Sequence, residues 1–230
     1  MFRLLTYIVI LILTVMSPRL TYADHSHTHV GRNPDAIWGN SDDGLLWIFA
    51  TPDQPQWNTI EMLPTGEFIG SKQIYVAELD CWHSAHPENG LFQLDFNNEF
   101  TPPDWRIGLE RISFSDPANF WMEDEATTLQ ILTSDGATFA FEEPDWDPQL
   151  PNGSGGLGAW HFHNHTEFLA LADGAGQTFS ATFTVFDTGL TGFTESAQYT
   201  LNFETVPEPA SIALLGIGLV SIIRSRKTSI

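Results

Sequence analysis

Cysteine is nearly absent from this 230-residue chain, where Cys81 stands alone. No internal disulfide is possible, so a hydrophobic core must hold the fold, and Cys81 is left as a buried apolar side chain, an intermolecular partner or a metal ligand. Positive charge is scarce as well: nine Lys and Arg face 29 Asp and Glu. Five of the nine (Arg3, Arg19, Arg224, Arg226 and Lys227) lie at the two ends. Arg32, Lys72, Arg106 and Arg111 remain between residues 24 and 206, against 28 acidic residues, for a net charge of −24. That field excludes nucleic acid as a partner. It also concentrates cations, although solubility alone accounts for acidic groups spread so evenly along a chain. Finally, histidine is missing from most of the sequence. All eight residues fall into three clusters: His25, His27 and His29; His83 and His86; and His161, His163 and His165.

Long apolar runs are confined to the two ends. Arg3, an apolar run from Leu4 to Met16 and the small-residue end Thr21-Tyr22-Ala23 read as a secretory signal cut by signal peptidase after Ala23. The run is shorter than the roughly 20 residues a spanning helix needs. At the other end Val206-Pro207-Glu208-Pro209-Ala210 leads into an apolar stretch, Ser211 to Ile223, followed by Arg224, Arg226 and Lys227. This reads as a short hydrophobic helix with basic residues on its cytoplasmic side, holding the chain transiently at a membrane through 211–223. These residues resemble the PEP-CTERM sorting signal of bacterial exported proteins, in which Pro207, Glu208 and Pro209 correspond to the motif triplet. The resemblance implies processing by an exosortase and delivery to the outer cell surface or extracellular matrix. Three segments follow: a signal peptide over 1–23, a domain over 24–205 and a sorting segment over 206–230.

The intervening domain, about 180 residues, is large enough to bury its own core. Short segments rich in aromatic and β-branched residues recur at Leu45–Ala50, Gln73–Leu79, Leu91–Phe96, Arg106–Phe114, Thr128–Thr133, Ala137–Phe141, Thr178–Phe186 and Ala197–Phe203. Turn signals separate them, among them Asn89-Gly90, Ser134-Asp135-Gly136 and Asp173-Gly174. The expected fold is all-β, a single antiparallel β-sandwich or jelly roll. Glu142 to Gly158, rich in proline and glycine, reads as one long loop ending before the third histidine cluster.

The third cluster, Trp160-His161-Phe162-His163-Asn164-His165, carries the most chemistry. On a strand, residues two apart share a face, so His161, His163 and His165 line one side while Phe162 turns to the other. Neighbouring imidazoles so placed supply two of the four positions of a tetrahedral zinc shell. In the second cluster Cys81 and His83 share a face if the preceding strand continues. There His86 sits in a turn before Pro87, and Asp80 is placed to orient a ligating ring. Thiolate and imidazole suit zinc or copper better than calcium or magnesium. The first cluster is either a loose metal-capturing tail or, with His29 docked on the sheet, the completion of a site with the other two. The candidate ligands are therefore His25, His27, His29, Cys81, His83, His86, His161, His163 and His165, supported by Asp80 and Glu167. The metal expected is Zn2+, with copper and manganese as alternatives.

The stretches from His29 to Gly39, from Glu78 to Pro87 and from Trp160 to His165 are similar to a cyanobacterial family of PEP-CTERM proteins repressed by the zinc-uptake regulator. The segment from His163 to Phe203 resembles surface-anchored bacterial domains found beside zinc or manganese importers. The resemblance implies expression under zinc shortage and a role in zinc capture, with a zinc importer as partner. Two other readings stand beside it. A metal-dependent enzyme would use Glu167 or Asp80 as general base, but no hydrolase signature or serine nucleophile motif accompanies them. A matrix or glycan-binding protein would use tryptophans such as Trp38, Trp47, Trp57, Trp105, Trp121 and Trp146, which equally suit a sandwich core. The reading favoured by the clusters is binding without catalysis.

Overall fold

The computed structural model describes residues 27–32, 44–49, 59–77, 79, 81–84, 94, 106–143, 145–151, 157–189 and 192–208. Residues 1–23, expected to be a signal peptide, and the apolar stretch at 211–223 lie outside these residues. So do His25, His86, Asp80, Trp38, Trp57, Trp105 and most of the strand expected at Leu91–Phe96; of His27 and Cys81 only the backbone is described. Among the described residues there is no helix, and none long and apolar enough to cross a membrane.

The strands are β1 (His27–Arg32), β2 (Leu46–Phe49), β3 (Ile60–Ile69), β4 (Lys72–Ala77), β5 (Cys81–Ser84), β6 (Ile107–Phe114), β7 (Phe120–Asp124) and β8 (Leu129–Ile131). They continue with β9 (Thr138–Ala140), β10 (Asp145–Pro151), β11 (Leu157–His161), β12 (His163–Asn164), β13 (Thr166–Ala172), β14 (Thr178–Asp187) and β15 (Tyr199–Thr205). The all-β expectation holds. Nine strands form one sheet in the order β8-β7-β13-β4-β3-β15-β14-β6-β9, and a smaller sheet runs β12-β5-β1-β2. Pairing is antiparallel except between β1 and β5 and between β3 and β15.

The large sheet curls over its own core. β13 and β14 are separated by three strands, roughly 19 Å on a flat sheet at about 4.8 Å per strand. Yet the rings of Phe168 and Phe183 lie 6.0 Å apart. Phe114, Phe120 and Phe203 fill the same interior, each at most 5% exposed. Strict alternation explains which side chains enter: in Thr166–Ala172 every second residue is buried, and the others face outward. The small sheet joins this core through Trp82, fully buried, whose ring meets Phe183 and Phe141 at 5.9 Å.

One expectation is overturned. The stretch from Glu142 to Gly158 is not a loop throughout, because β10 and β11 pair as a hairpin, with Asp145 opposite His161 and Trp146 opposite Trp160. The prolines are tolerated because this two-stranded ladder is irregular, with a register shift between Asp147 and Pro151. Gly158, at φ +95°, lets the indole of Trp146 lie directly on the backbone, where a Cβ would stand 2.4 Å from Trp146 Cζ2. The two indoles then meet edge to face at 5.4 Å.

Candidate metal centre

Strand register gathers the histidines. β1 runs parallel to β5 with His29 beside His83, and β12 runs antiparallel on the other side of β5 with His163 opposite His83. His29, His83 and His163 therefore form one row across three adjacent strands, with His83 in the middle. Ring centroids are 5.9 Å apart for His29 and His83 and 5.2 Å for His83 and His163. His161, two residues before His163, brings a fourth ring to 5.5 Å from His83.

Aromatic neighbours set the direction of these rings. Trp82 points into the core and donates its Nε1–H to Thr166 Oγ1 at 3.1 Å, which turns His83 to the opposite face. Phe162 is likewise buried and stacked on Phe141 at 4.5 Å, which turns His161 and His163 together. Backbone clasps fix the spacing. The Phe162 N–H donates to Ser84 Oγ at 2.8 Å, and the Ser84 N–H donates to the Phe162 carbonyl at 3.2 Å. The His163 N–H donates to Glu142 Oε1 at 3.0 Å, while the Glu142 N–H donates to Asn164 Oδ1 at 2.8 Å. Ser84, Glu142 and Thr166 were not singled out from sequence. For Ser84 and Thr166 the signal there is adjacency, Ser84 following His83 and Thr166 following His165; Glu142, remote in sequence, carries none.

Burial is graded along the group. His29 and His83 are buried, His161 and His163 half-buried, and His165 exposed. Four ring nitrogens, His29 Nδ1, His83 Nδ1, His161 Nδ1 and His163 Nε2, are shielded from solvent. His165 sits at the rim, its ring stacked on His163 at 4.7 Å and its Nδ1 3.3 Å from Glu125 Oε2. This exposed pair adds little stability, but it places a carboxylate at the mouth of the cluster. Glu167 lies on β13 opposite Glu123. Two of the four described cationic side chains are buried: Arg32 and Arg111 are 4% and 3% exposed, Arg111 being held by Asp135 and by the Leu132 carbonyl.

The donor set fits a borderline metal ion. Two imidazoles on one tetrahedral zinc, with nitrogens at about 2.0–2.1 Å, place their ring centres about 5 Å apart, close to the separations around His83. Among the described residues no three His, Cys, Asp or Glu donors already converge as a binding group. Closing a shell therefore requires the rings to turn about χ2, a broad, soft torsion for histidine. A row made of imidazoles suits zinc or copper better than manganese, which favours carboxylate and carbonyl oxygen.

β15 ends at Thr205, and the chain continues through Val206-Pro207-Glu208. Residues 205–227 match the PEP-CTERM protein-sorting motif. The chain thus bears the signal of an exported protein sorted to the cell surface, with an exosortase as its processing partner. No curated protein matches the chain.

Proposed function

We propose that this exported surface protein binds zinc through His83 and its neighbours His29, His161 and His163, and serves zinc acquisition or storage under zinc limitation rather than catalysis. The observation that supports the reading is that rings from all three histidine clusters gather around His83, with centroids 5.2–5.9 Å from it. A structural role would not call for so many imidazoles in one row, since each buried polar ring must be satisfied. The strongly acidic domain raises the local cation concentration around the cluster. The similarity to a zinc-regulated cyanobacterial family and the expected zinc importer belong to the same proposal, as does transient anchoring of 211–223 in the membrane.

The test is elemental analysis with competitive zinc titration of the exported protein. One or two zinc ions bound tightly, with affinity lost about 100-fold or more in His83→Ala and in the double variant His161→Ala/His163→Ala, is the expected result, since each lost ligand weakens a closed shell. Absence of retained metal, or wild-type stoichiometry in both variants, refutes it. A matrix or glycan-binding role has one specific observation in its favour, the exposed Trp146 and Leu157 on the β10–β11 hairpin. Retention on polysaccharide that a chelator leaves unchanged and Trp146→Ala abolishes is its signature.

A further inference from the structure

The beginning of the sorting motif is part of the folded domain. β15 pairs in parallel with β3, Thr205 lying beside Met62, and the Val206 N–H donates to the Met62 carbonyl at 3.0 Å. Thr205 is 1% exposed and bound on all sides. Its N–H donates to the Gln177 carbonyl at 2.9 Å, its carbonyl accepts from Gly176 N–H at 2.7 Å, and its hydroxyl donates to the Gly174 carbonyl at 2.9 Å while accepting from Gln177 N–H at 3.0 Å. No spacer separates this anchorage from Pro207 and Glu208, which emerge exposed just past the end of β15.

There they meet the β3–β4 hairpin. Pro207 and Glu208 share the lining of a shallow concavity with Pro64, Phe68, Tyr75 and Ala175. Burial first, and the nearby Glu208 carboxylate second, hold the Tyr75 phenol above its usual pKa, so it remains a neutral hydroxyl beside the motif. The hairpin turns through Gly70-Ser71, with Gly70 at φ +65°, and the tip projects Phe68 and Ile69, which are 62% and 57% exposed. These two large apolar side chains lie next to each other in the open beside the motif, and contiguous exposed apolar surface marks interaction sites.

We propose that the hairpin tip, Phe68 and Ile69, with the concavity beside Pro207 and Glu208, is a docking surface for the exosortase, so that the sorting enzyme reads the folded domain together with the motif. The occupant follows from continuity. An enzyme that grips Pro207 and Glu208 cannot avoid the hairpin, because those residues line one concavity and are stitched to the sheet one residue upstream. The apolar stretch begins three residues past Glu208, at most about 11 Å of extended chain. An enzyme working on that stretch therefore also stands within reach of Phe68 and Ile69. This inference is independent of metal binding.

The test follows processing of the full chain, by the mass shift on loss of its C-terminal segment, in cells carrying the cognate exosortase. Phe68→Asp/Ile69→Asp should slow processing about tenfold, equivalent to about 1.4 kcal/mol, with export and melting temperature unchanged. Leu129→Asp, an equally exposed apolar site on β8 at the far edge of the sheet, should process at the wild-type rate. A flexible six-residue insertion between Val206 and Pro207 should also slow processing, by detaching the motif from its platform. Wild-type rates in both the double variant and the insertion overturn the proposal. Equal slowing in Leu129→Asp overturns it too, since the effect would then be general. Loss of binding to lipid vesicles with unchanged processing overturns it by showing the hairpin to be a lipid contact.

Discussion

Replacing Ser84 with alanine removes one oxygen, and the structure says where the cost falls. Ser84 Oγ accepts the Phe162 N–H at 2.8 Å in a buried setting, between the two half-buried histidines of the third cluster. The alanine variant leaves that N–H without its acceptor, where water does not easily replace it. An orphaned buried donor costs about 1–3 kcal/mol. For a domain of this size each kcal/mol lowers the melting temperature by about 2–4 °C, so a drop of roughly 2–12 °C is expected. Ser115→Ala is the matched control. Its hydroxyl accepts the Ser180 N–H at 2.9 Å, but in an exposed setting where water can step in, and the expected change is within about 0.5 kcal/mol. Thermal unfolding of both variants without added metal decides the matter. Equal melting temperatures for Ser84→Ala and Ser115→Ala would refute the claim that this clasp holds the His161–His163 segment in place. If the clasp also sets ring spacing, zinc affinity in Ser84→Ala should fall about tenfold, the 1.4 kcal/mol equivalent of a modest misplacement.

Ligation requires neutral imidazole, so zinc affinity should fall more than about tenfold between pH 7.5 and 5, across the ordinary histidine range; a flat profile by competitive titration would count against histidine ligation. Tyr199→Phe deletes a buried hydroxyl that has no hydrogen-bond partner among the described residues and should stabilise the domain by up to about 1 kcal/mol. Burial also raises the Tyr199 phenol pKa above 10.0. The folded state therefore keeps a proton that the unfolded chain has lost, and stability falls as pH rises above about 10. The melting temperature of Tyr199→Phe should decline less steeply there than the wild type's, and identical slopes contradict the reasoning. Gly158→Ala forces a left-handed alanine onto Trp146 and should cost at least about 1–2 kcal/mol in denaturant unfolding; an unchanged midpoint would mean the indole is not seated there. Zinc should slow hydrogen exchange at Thr28 and Val30 in β1 far more than at Phe183 and Val185 in β14, because only the small sheet carries the row; uniform protection would place the metal elsewhere.

Much of the architecture was legible because alternation is a local signal. Arg106–Phe114, Thr178–Phe186 and Ala197–Phe203 each fall on an observed strand, β6, β14 and β15, where buried and outward residues interleave. The faces of His161, His163 and Phe162 followed from the same period of two. β3 was missed because Thr65-Gly66 within it reads as a turn; in the sheet these residues lie in a bulge between Pro64, opposite Tyr75, and Phe68, opposite Gln73. β10 and β11 were hidden by proline and glycine, whose effect is offset by a Trp146–Trp160 pair that no single-segment pattern reveals. The union of the clusters was legible only as an alternative. His29 meets His83 through a parallel pairing between strands about 50 residues apart, and nothing local specifies such a register.

The strands that carry the histidines are short: six residues in β1, four in β5 and two in β12. Ladders of that length hold little free energy of their own, and their place is set by Trp82, Phe162 and Val30 entering the core. On the zinc reading, an ion bound across the row would tie β1, β5 and β12 together in proportion to its occupancy, so binding and ordering of the small sheet would be a single equilibrium. The large sheet, anchored by its phenylalanine core, would stay the same in both states, and so would the start of the sorting motif, which is stitched to β3 at Met62. Metal occupancy and surface delivery would then run independently, as a protein that must be exported and processed whether or not it has yet met its ion requires.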